Sequence, residues 1–417
     1  MSDSKNVSGF RRALRHRDYA RYTVGGLLSM SADWSGRIAV GWLTWQFTES
    51  PAWLGVMSFS DMAPTVLLSP LAGAYADRFD RLKVCTATAM LSAIFASSLL
   101  LLYISGLLSV WTLFAVVVLN GISAAVAQPS RIAIVPNMIP REDLGPAVAL
   151  NSVTFNLSRF SGPMLAGFIL AQLSAGWVFA VNACFQLAFV AVLLRLTSKE
   201  TDAPKPRGSI TADIAEGVRY TMRHPGIGPV MFLLIVSSVG TRPFIDLLPG
   251  FAASVFGRGP EGLATLTSTV GLGALAGASY LTIRTAIGGL TRIAVTAVLV
   301  IGVGLIAFSM TENFWLAVVC LFVVGVGLSV SATGIMTLVQ ASVDASMRGR
   351  VLSLYGLIFR GGPALGSMTM GWAAQFVGLQ IPVAAGAVIC IVLWAWTTRN
   401  LGDVARTLER ESHHERV

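Results

Sequence analysis

The sequence predicts an all-α membrane protein of twelve transmembrane helices in two pseudo-symmetric halves of six. Three observations carry this expectation. Hydrophobic residues fill 54% of the 417 positions and charged residues only 12%, with a mean hydropathy of +0.70, whereas a water-soluble chain carries about 25% charge. Polar breaks leave twelve apolar segments, each near the ~20 residues that a helix needs to cross the hydrocarbon core. The pairs Gly162-Pro163 and Gly362-Pro363 stand 200 residues apart and lay segment five on segment eleven. A β-barrel is excluded by pattern, since runs such as Leu99 to Leu102 lack the two-residue alternation of barrel strands.

A basic arm, residues 1–17, precedes the first half, 18–197, with spans at 18–46, 51–75, 83–105, 109–134, 146–171 and 175–197. A polar loop, 198–225, contains Pro204 and Pro206 and separates it from the second half, 226–398. There the spans run 226–254, 262–283, 291–310, 314–341, 348–375 and 380–398, followed by a tail, 399–417. Within the loop, Ile210, Ile214, Val218 and Met222 recur every four residues, which predicts an amphipathic helix along the membrane surface. With no cleavable leader pattern at the start, the first span is expected to be retained.

Sorting the charges orients the chain. Of 30 basic residues, 25 fall in the arm, the tail, the central loop and the even-to-odd connections, while the opposite loops hold only Arg258. The positive-inside rule then places both termini and the central loop in the cytoplasm. Trp45, Trp53, Trp111, Trp177 and Trp315 cluster beside the opposite loops, where an amphipathic ring suits the interface. The net charge of +9 is thus a topology signal, and no nucleic-acid partner is expected.

Cys85, Cys184, Cys320 and Cys390 lie in or beside apolar segments without paired spacing, and the four histidines do not cluster. The expectation is packing cysteines, no metal and no cofactor. No nucleophile, base and orienting group can be assembled and no phosphate-binding loop is present, so the sequence does not read as an enzyme.

Seven ionisable residues remain at membrane depth: Asp33 and Arg37 in span 1, Asp61 in span 2, Arg159 in span 5, Arg242 and Asp246 in span 7, and Arg360 in span 11. Each costs about 2.5–3.5 kcal/mol at the bilayer centre unless it pairs or lines water. Asp33 with Arg37, and Arg242 with Asp246, are four apart and are expected to share a helix face and neutralise each other. Ser152, Asn156, Arg159 and Pro163 form a stripe that predicts a wet face, and Asp61 has no local base. Four arginines against three aspartates favour an acid-bearing ligand, because a guanidinium matches carboxylate or catecholate oxygens.

Gly73-Ala74-Tyr75-Ala76-Asp77-Arg78-Phe79-Asp80-Arg81-Leu82-Lys83 resembles the major facilitator signature G-x-x-x-D-R-x-G-R-[RK], with Asp80 in place of glycine and one extra residue before Lys83. Gly162-Pro163-x-x-Ala166-Gly167 is similar to the motif that marks antiporters in that superfamily. Further matches are Ala32-Asp33-Trp34-Ser35-Gly36-Arg37-Ile38-Ala39, Thr48-Glu49-Ser50-Pro51, Pro64 through Pro70, Asn151-Ser152 and Glu216-Gly217-x-Arg219-Tyr220. Together they resemble the enterobactin-exporter-like and macrolide-efflux-like branch over nearly the whole chain. The chain departs from many proton-driven exporters in span 4, where Val117 stands four residues before Gly121 in place of an arginine.

The resemblance implies the major facilitator fold and a secondary transporter of the bacterial inner membrane. Its expected cargo is a small amphipathic, acid-bearing molecule such as a siderophore or drug, exported by alternating access in exchange for protons by a monomer in the lipid bilayer. Asp33, Arg37, Asp61, Asn156, Arg159, Arg242, Asp246 and Arg360 are the expected substrate and proton path. Gly73, Asp77, Arg78, Arg81, Gly162, Pro163, Gly362 and Pro363 are expected to gate conformation, with Asp77 facing the start of span 11. Import or lipid translocation on the same fold, and a non-transporting membrane sensor or assembly protein, are the alternatives.

Overall fold

The computed structural model describes residues 2–76, 80–196, 210–284, 288–344, 346–399 and 401–414. Every regular element among them is helical. Spans 1–6 are the helices Arg17–Thr48, Pro51–Ala76, Arg81–Ile104, Val110–Ile134, Leu144–Gln172 and Ala175–Leu193. Span 7 runs from Ile227 to Val255 in three pieces, and spans 8–12 are Pro260–Ile283, Leu290–Met310, Phe314–Ser342, Arg348–Val377 and Gln380–Arg399. Among the described residues, eight of these meet the length and apolarity needed to cross a membrane. The other four are spans 1, 2, 5 and 11, and each carries at least one of the buried-segment charges: Asp33, Arg37, Asp61, Arg159 or Arg360.

Side chains set the helix starts. Asp80 caps span 3 by accepting from the Leu82 and Lys83 amides at 2.8 and 3.4 Å. This explains the carboxylate that replaces the signature's glycine, since it satisfies amide groups a helix start leaves open. Ser109 and Thr112 form a reciprocal capping box on span 4, and Asn313 caps span 10. Gly289, at φ 77°, makes the left-handed turn into span 9 that side-chain-bearing residues avoid.

The helices group into two compact units, residues Met1–Thr48 with Ser60–Pro206, and residues Glu49–Phe59 with Arg207–Val417. In the first, Tyr19, Tyr22, Cys85, Ile134, Phe189 and Leu193 build a core near one end of the helices. A helix before span 1, Ser2–Arg15, buries Ala13 in it, and Arg12 and His16 both reach Asp143, at 3.4 and 3.0 Å.

In the second unit, Ile227, Leu234, Ile335, Leu338, Val351, Val404 and Leu408 form the core. Two of these belong to a helix, Leu401–His414, within the tail. Its Glu409 carboxylate accepts from the Gly289 and Thr291 amides at 2.8 and 3.1 Å and so caps span 9. The predicted loop helix spans Ile210–Arg223. Its polar side docks on the segment entering span 11: Glu216 meets Arg350 at 3.3 Å and Tyr220 donates to Asp344 at 3.1 Å, while Met222 is exposed. All four cysteines are free, and Cys85, Cys320 and Cys390 are buried. Cys184 is exposed, so it is not the packing residue expected of it.

Candidate functional site

In the first unit polar residues of spans 1, 2, 4, 5 and 6 interact with one another, with Arg37 and Arg159 at Trp34. The Gly-Pro helix makes this possible. Gly162 lies against the Trp34 Cβ and the Ser31 carbonyl, where an added Cβ would collide, and Ser161 and Ser31 exchange a hydrogen bond at 3.1 Å. Span 5 therefore approaches span 1 backbone to backbone, as small residues allow in membranes. Arg159 and Arg37 both lie over the Trp34 ring, at 5.7 and 5.4 Å from its centroid, an attraction between cation and ring face.

The ion pairing differs from the sequence expectation. Arg37 does not neutralise Asp33 on its own helix but reaches across to Asp61 of span 2, with nitrogen and oxygen 2.5 Å apart. Span 4 braces this pair, because Gly121 sits against the Asp61 backbone carbonyl with no room for a Cβ. Asp33 instead accepts from Gln186 of span 6 at 2.8 Å. Among the described residues, no carboxylate lies within ion-pair distance of Arg159. Asp33 and Arg37 are exposed although they stand mid-helix, as are Asn151 and Ser152, so spans 1 and 5 carry polar groups on an exposed surface. Asn156 turns its amide back to the Ser152 carbonyl at 2.9 Å, and Pro163 is buried against span 1, so the predicted wet stripe ends at Arg159.

In the second unit, Arg242 and Asp246 stand on either side of a break in span 7. Span 7 breaks into Ile227–Gly240, a turn through Thr241 to Pro243, Phe244–Gly250, and a wide-turned segment Phe251–Val255. Pro243 and Pro249 lack the amide that a continuous helix requires. Arg242 lies in the turn with its guanidinium 3.9 Å from the centre of the Phe359 ring, which stacks in turn on Tyr355. Asp246, one turn into the next piece, accepts from Ser58 at 2.7 Å and from Ser367.

Those two serines come from the first residues of span 2 and from span 11, and Gly55, Gly371 and Ser367 let the two helices touch there. A Cβ on Gly55 would overlap the Ser367 carbonyl, and one on Gly371 the Pro51 carbonyl. Ser50 also donates to Gln375 at 2.6 Å. Gly362 lies against Ser238 of span 7 as Gly162 lies against span 1, so both units use the same close approach. Arg360 is exposed.

Of the expected gating residues, Gly73 lies within span 2 and Arg81 opens span 3, while Asp77 and Arg78 lie outside the described residues. Sequence reasoning missed Ser29, Ser58, Arg131, Gln186 and Ser367. The Asn182 and Gln186 amides, four apart in an otherwise apolar span, were a legible signal. Arg131, near the end of span 4, turns its guanidinium back into the unit, onto Ser29 at 3.2 Å and over the Phe189 ring.

Broken and closely packed helices with ionisable groups facing an accessible surface define a repeat-built secondary transporter. The comparisons specify which kind: residues 12–413 match the family described as transmembrane secretion effector, and the chain belongs to that family of major facilitator transporters. It is 25% identical over 366 residues to the staphyloferrin A transporter of Staphylococcus aureus strain NCTC 8325, covering 87% of this chain and 91% of the relative. It is 27% identical over 327 residues to the enterobactin exporter EntS of Salmonella typhi, covering 76% and 75%. The fold is similar to that of a POT family transporter crystallised with 5-aminolevulinic acid, with a TM-score of 0.73 at 13% identity over 93% of this chain and 96% of the other. It is also similar to a bacterial homologue of the lysosomal transporter Spinster, with a TM-score of 0.68 at 16% identity over 95% and 98%. The protein is a membrane transporter for a small molecule and not an enzyme.

Proposed function

We propose that this transporter exports a siderophore-like molecule, small, amphipathic and acid-bearing, in exchange for protons, from a bacterial cytoplasm in which both of its termini lie. The observation that carries the reading is the pair of guanidiniums, Arg37 and Arg159, flanking Trp34 beside the exposed Asp33. A catecholate or carboxylate fits the arginine forks, and the indole face suits an aromatic or apolar body. The relatives named for enterobactin and staphyloferrin A support the same cargo class.

Proton exchange follows from mutual exclusion. An ionised Asp33 or Asp61 accepts hydrogen bonds from cargo hydroxyl or amide groups, and a proton on the same oxygen removes that acceptor. Proton entry from one side then favours cargo release to that side. Alternating access is expected to exchange the close contacts at Gly162 and Gly362, while Asp246 with Ser58 and Ser367 fastens the start of span 2 to span 11 in the conformation described.

The test is flux of apo-enterobactin, as a catecholate probe, into everted membrane vesicles and into proteoliposomes with an imposed pH gradient. Gradient-driven accumulation in everted vesicles that Asp61→Asn abolishes supports proton-coupled export. Flux indifferent both to the gradient and to Asp61→Asn overturns the coupling, and accumulation only in right-side-out vesicles overturns the direction.

A further inference from the structure

Arg131, Ser29, Gln186 and Asp33 form one line of hydrogen bonds through the first unit. The Arg131 Nη2 donates to Ser29 Oγ at 3.2 Å, the Ser29 hydroxyl to Gln186 Oε1 at 2.9 Å, and Gln186 Nε2 to Asp33 Oδ1 at 2.8 Å. Ser29 and Gln186 are 0% and 1% exposed, so water does not compete for the link between them. Every donor points the same way, from the guanidinium of span 4 to the carboxylate of span 1. A one-directional chain in a dry interior polarises each successive bond.

The charge balance gives the line its purpose. Among the described residues, no carboxylate stands within ion-pair distance of Arg131, whose other partner is the Phe189 ring. A guanidinium inside a helical bundle is costly without negative charge. The charged groups acting on Asp33 are Arg37 on its own helix, Asp61 of span 2 and Arg131 of span 4. Arg159 of span 5 lies over the neighbouring Trp34 ring, and span 6 contributes the neutral Gln186. Arg37 is already engaged by Asp61.

We propose that Arg131 is a positioning residue for Asp33, acting through Ser29 and Gln186, and that the Gln186 amide reports the proton state of Asp33 back to span 4. An ionised Asp33 holds the amide with its NH2 toward the carboxylate and its oxygen toward Ser29. A protonated Asp33 donates its own O–H, which requires an oxygen to face it, so the amide turns over. Its NH2 then donates to Ser29, the serine hydroxyl loses its acceptor, and the Ser29–Gln186 link is reversed while the guanidinium still donates to Ser29. Proton arrival at Asp33 thereby leaves Ser29 Oγ accepting from both Arg131 and Gln186, which changes the bond that holds span 4 to span 1 without either charge moving far. This relay rests on the coupling reading of Asp33 above, but the proton affinity of Asp33 is measurable without transport.

The experiment is an infrared pH titration of the purified, reconstituted full-length protein, without cargo, following the carboxylic-acid band that disappears in Asp33→Asn. Ser29→Ala, Gln186→Leu and Arg131→Gln are each expected to move the midpoint of that band upward by about one pH unit, a tenfold change in proton affinity, as expected for loss of a charge-assisted link. The decisive comparison is the double variant. If the relay operates, Arg131→Gln shifts the midpoint less in the Gln186→Leu background than in the unmodified protein, the remainder being its direct Coulombic effect on Asp33. Equal shifts in both backgrounds mean that Arg131 acts through space and overturn the relay, as does an unmoved midpoint in Ser29→Ala and Gln186→Leu. If Arg131→Gln does not yield monodisperse protein, Arg131→Lys in the same two backgrounds makes the comparison. A correct titration with pH-indifferent flux would overturn proton exchange while leaving the relay standing.

Discussion

Arg37 and Asp61 pair across two helices, nitrogen to oxygen at 2.5 Å, and the bond joins spans 1 and 2 at the level of Trp34. Replacing one partner leaves a charge without its counter-ion in a partly dry setting, which is more damaging than removing both. Asp61→Asn and Arg37→Gln are each expected to lower gradient-driven flux at least tenfold and to reduce membrane abundance. The double neutral variant should recover abundance and stability but not coupling, as measured by flux in everted vesicles with and without an imposed gradient.

The contact at Gly55 and Gly371 has no room for a methyl group, because the obstructing atoms are backbone. Gly55→Val or Gly371→Val should force the start of span 2 away from span 11 and cut flux by roughly a hundredfold, as for overpacking worth 1–3 kcal/mol or more. Gly349→Ala, where the added carbon meets open space, is the matched control and should behave as the unmodified protein. Equal flux in all three would show that this contact is dispensable.

Asp246 accepts from both Ser58 and Ser367. Hydrogen bonds to a charged group contribute about 1.5–3 kcal/mol each. Ser367→Ala and Ser58→Ala should therefore lower the thermal unfolding midpoint in detergent, with Ser367→Val lower still. Their combination should be less than additive, since both serve one carboxylate oxygen.

Glu409 caps span 9 from the tail helix with two amide contacts, at 2.8 and 3.1 Å. Glu409→Ala should cost about 1 kcal/mol, the usual worth of a lost cap. Leu408→Asp should cost more, because this side chain is 0% exposed in the core of the second unit. Thermal unfolding monitored by tryptophan fluorescence ranks the two.

The helical architecture was legible because the bilayer demands long apolar runs, and Pro51, Pro260 and Ser109 stand where helices start. Pairing was less so. The four-residue spacing of Asp33 and Arg37 holds for an isolated helix, but the partner Arg37 takes depends on how spans 1 and 2 are rotated, which no local pattern encodes. Pro243 and Pro249 stood in plain view, yet the hydropathy of their surroundings concealed the break they impose beside Arg242. Gln186 went unnoticed because one amide scarcely lowers the hydropathy of an apolar helix, whatever its value as a donor. Arg131 escapes a charge-based reading because its Cα lies near a helix end while its long side chain extends inward.

The ionisable residues of spans 1, 2, 5 and 11 have a consequence for biogenesis. Spans 1, 2, 5 and 11 carry Asp33, Arg37, Asp61, Arg159 and Arg360, so a translocon reading one segment at a time meets a weak signal in each. Span 1 emerges before Asp61 exists to neutralise Arg37, and span 5 before Gln186 of span 6 reaches Asp33. These helices are therefore expected to linger beside the lateral gate until later segments arrive, and the slow step in making this protein is the retention of its own polar interior.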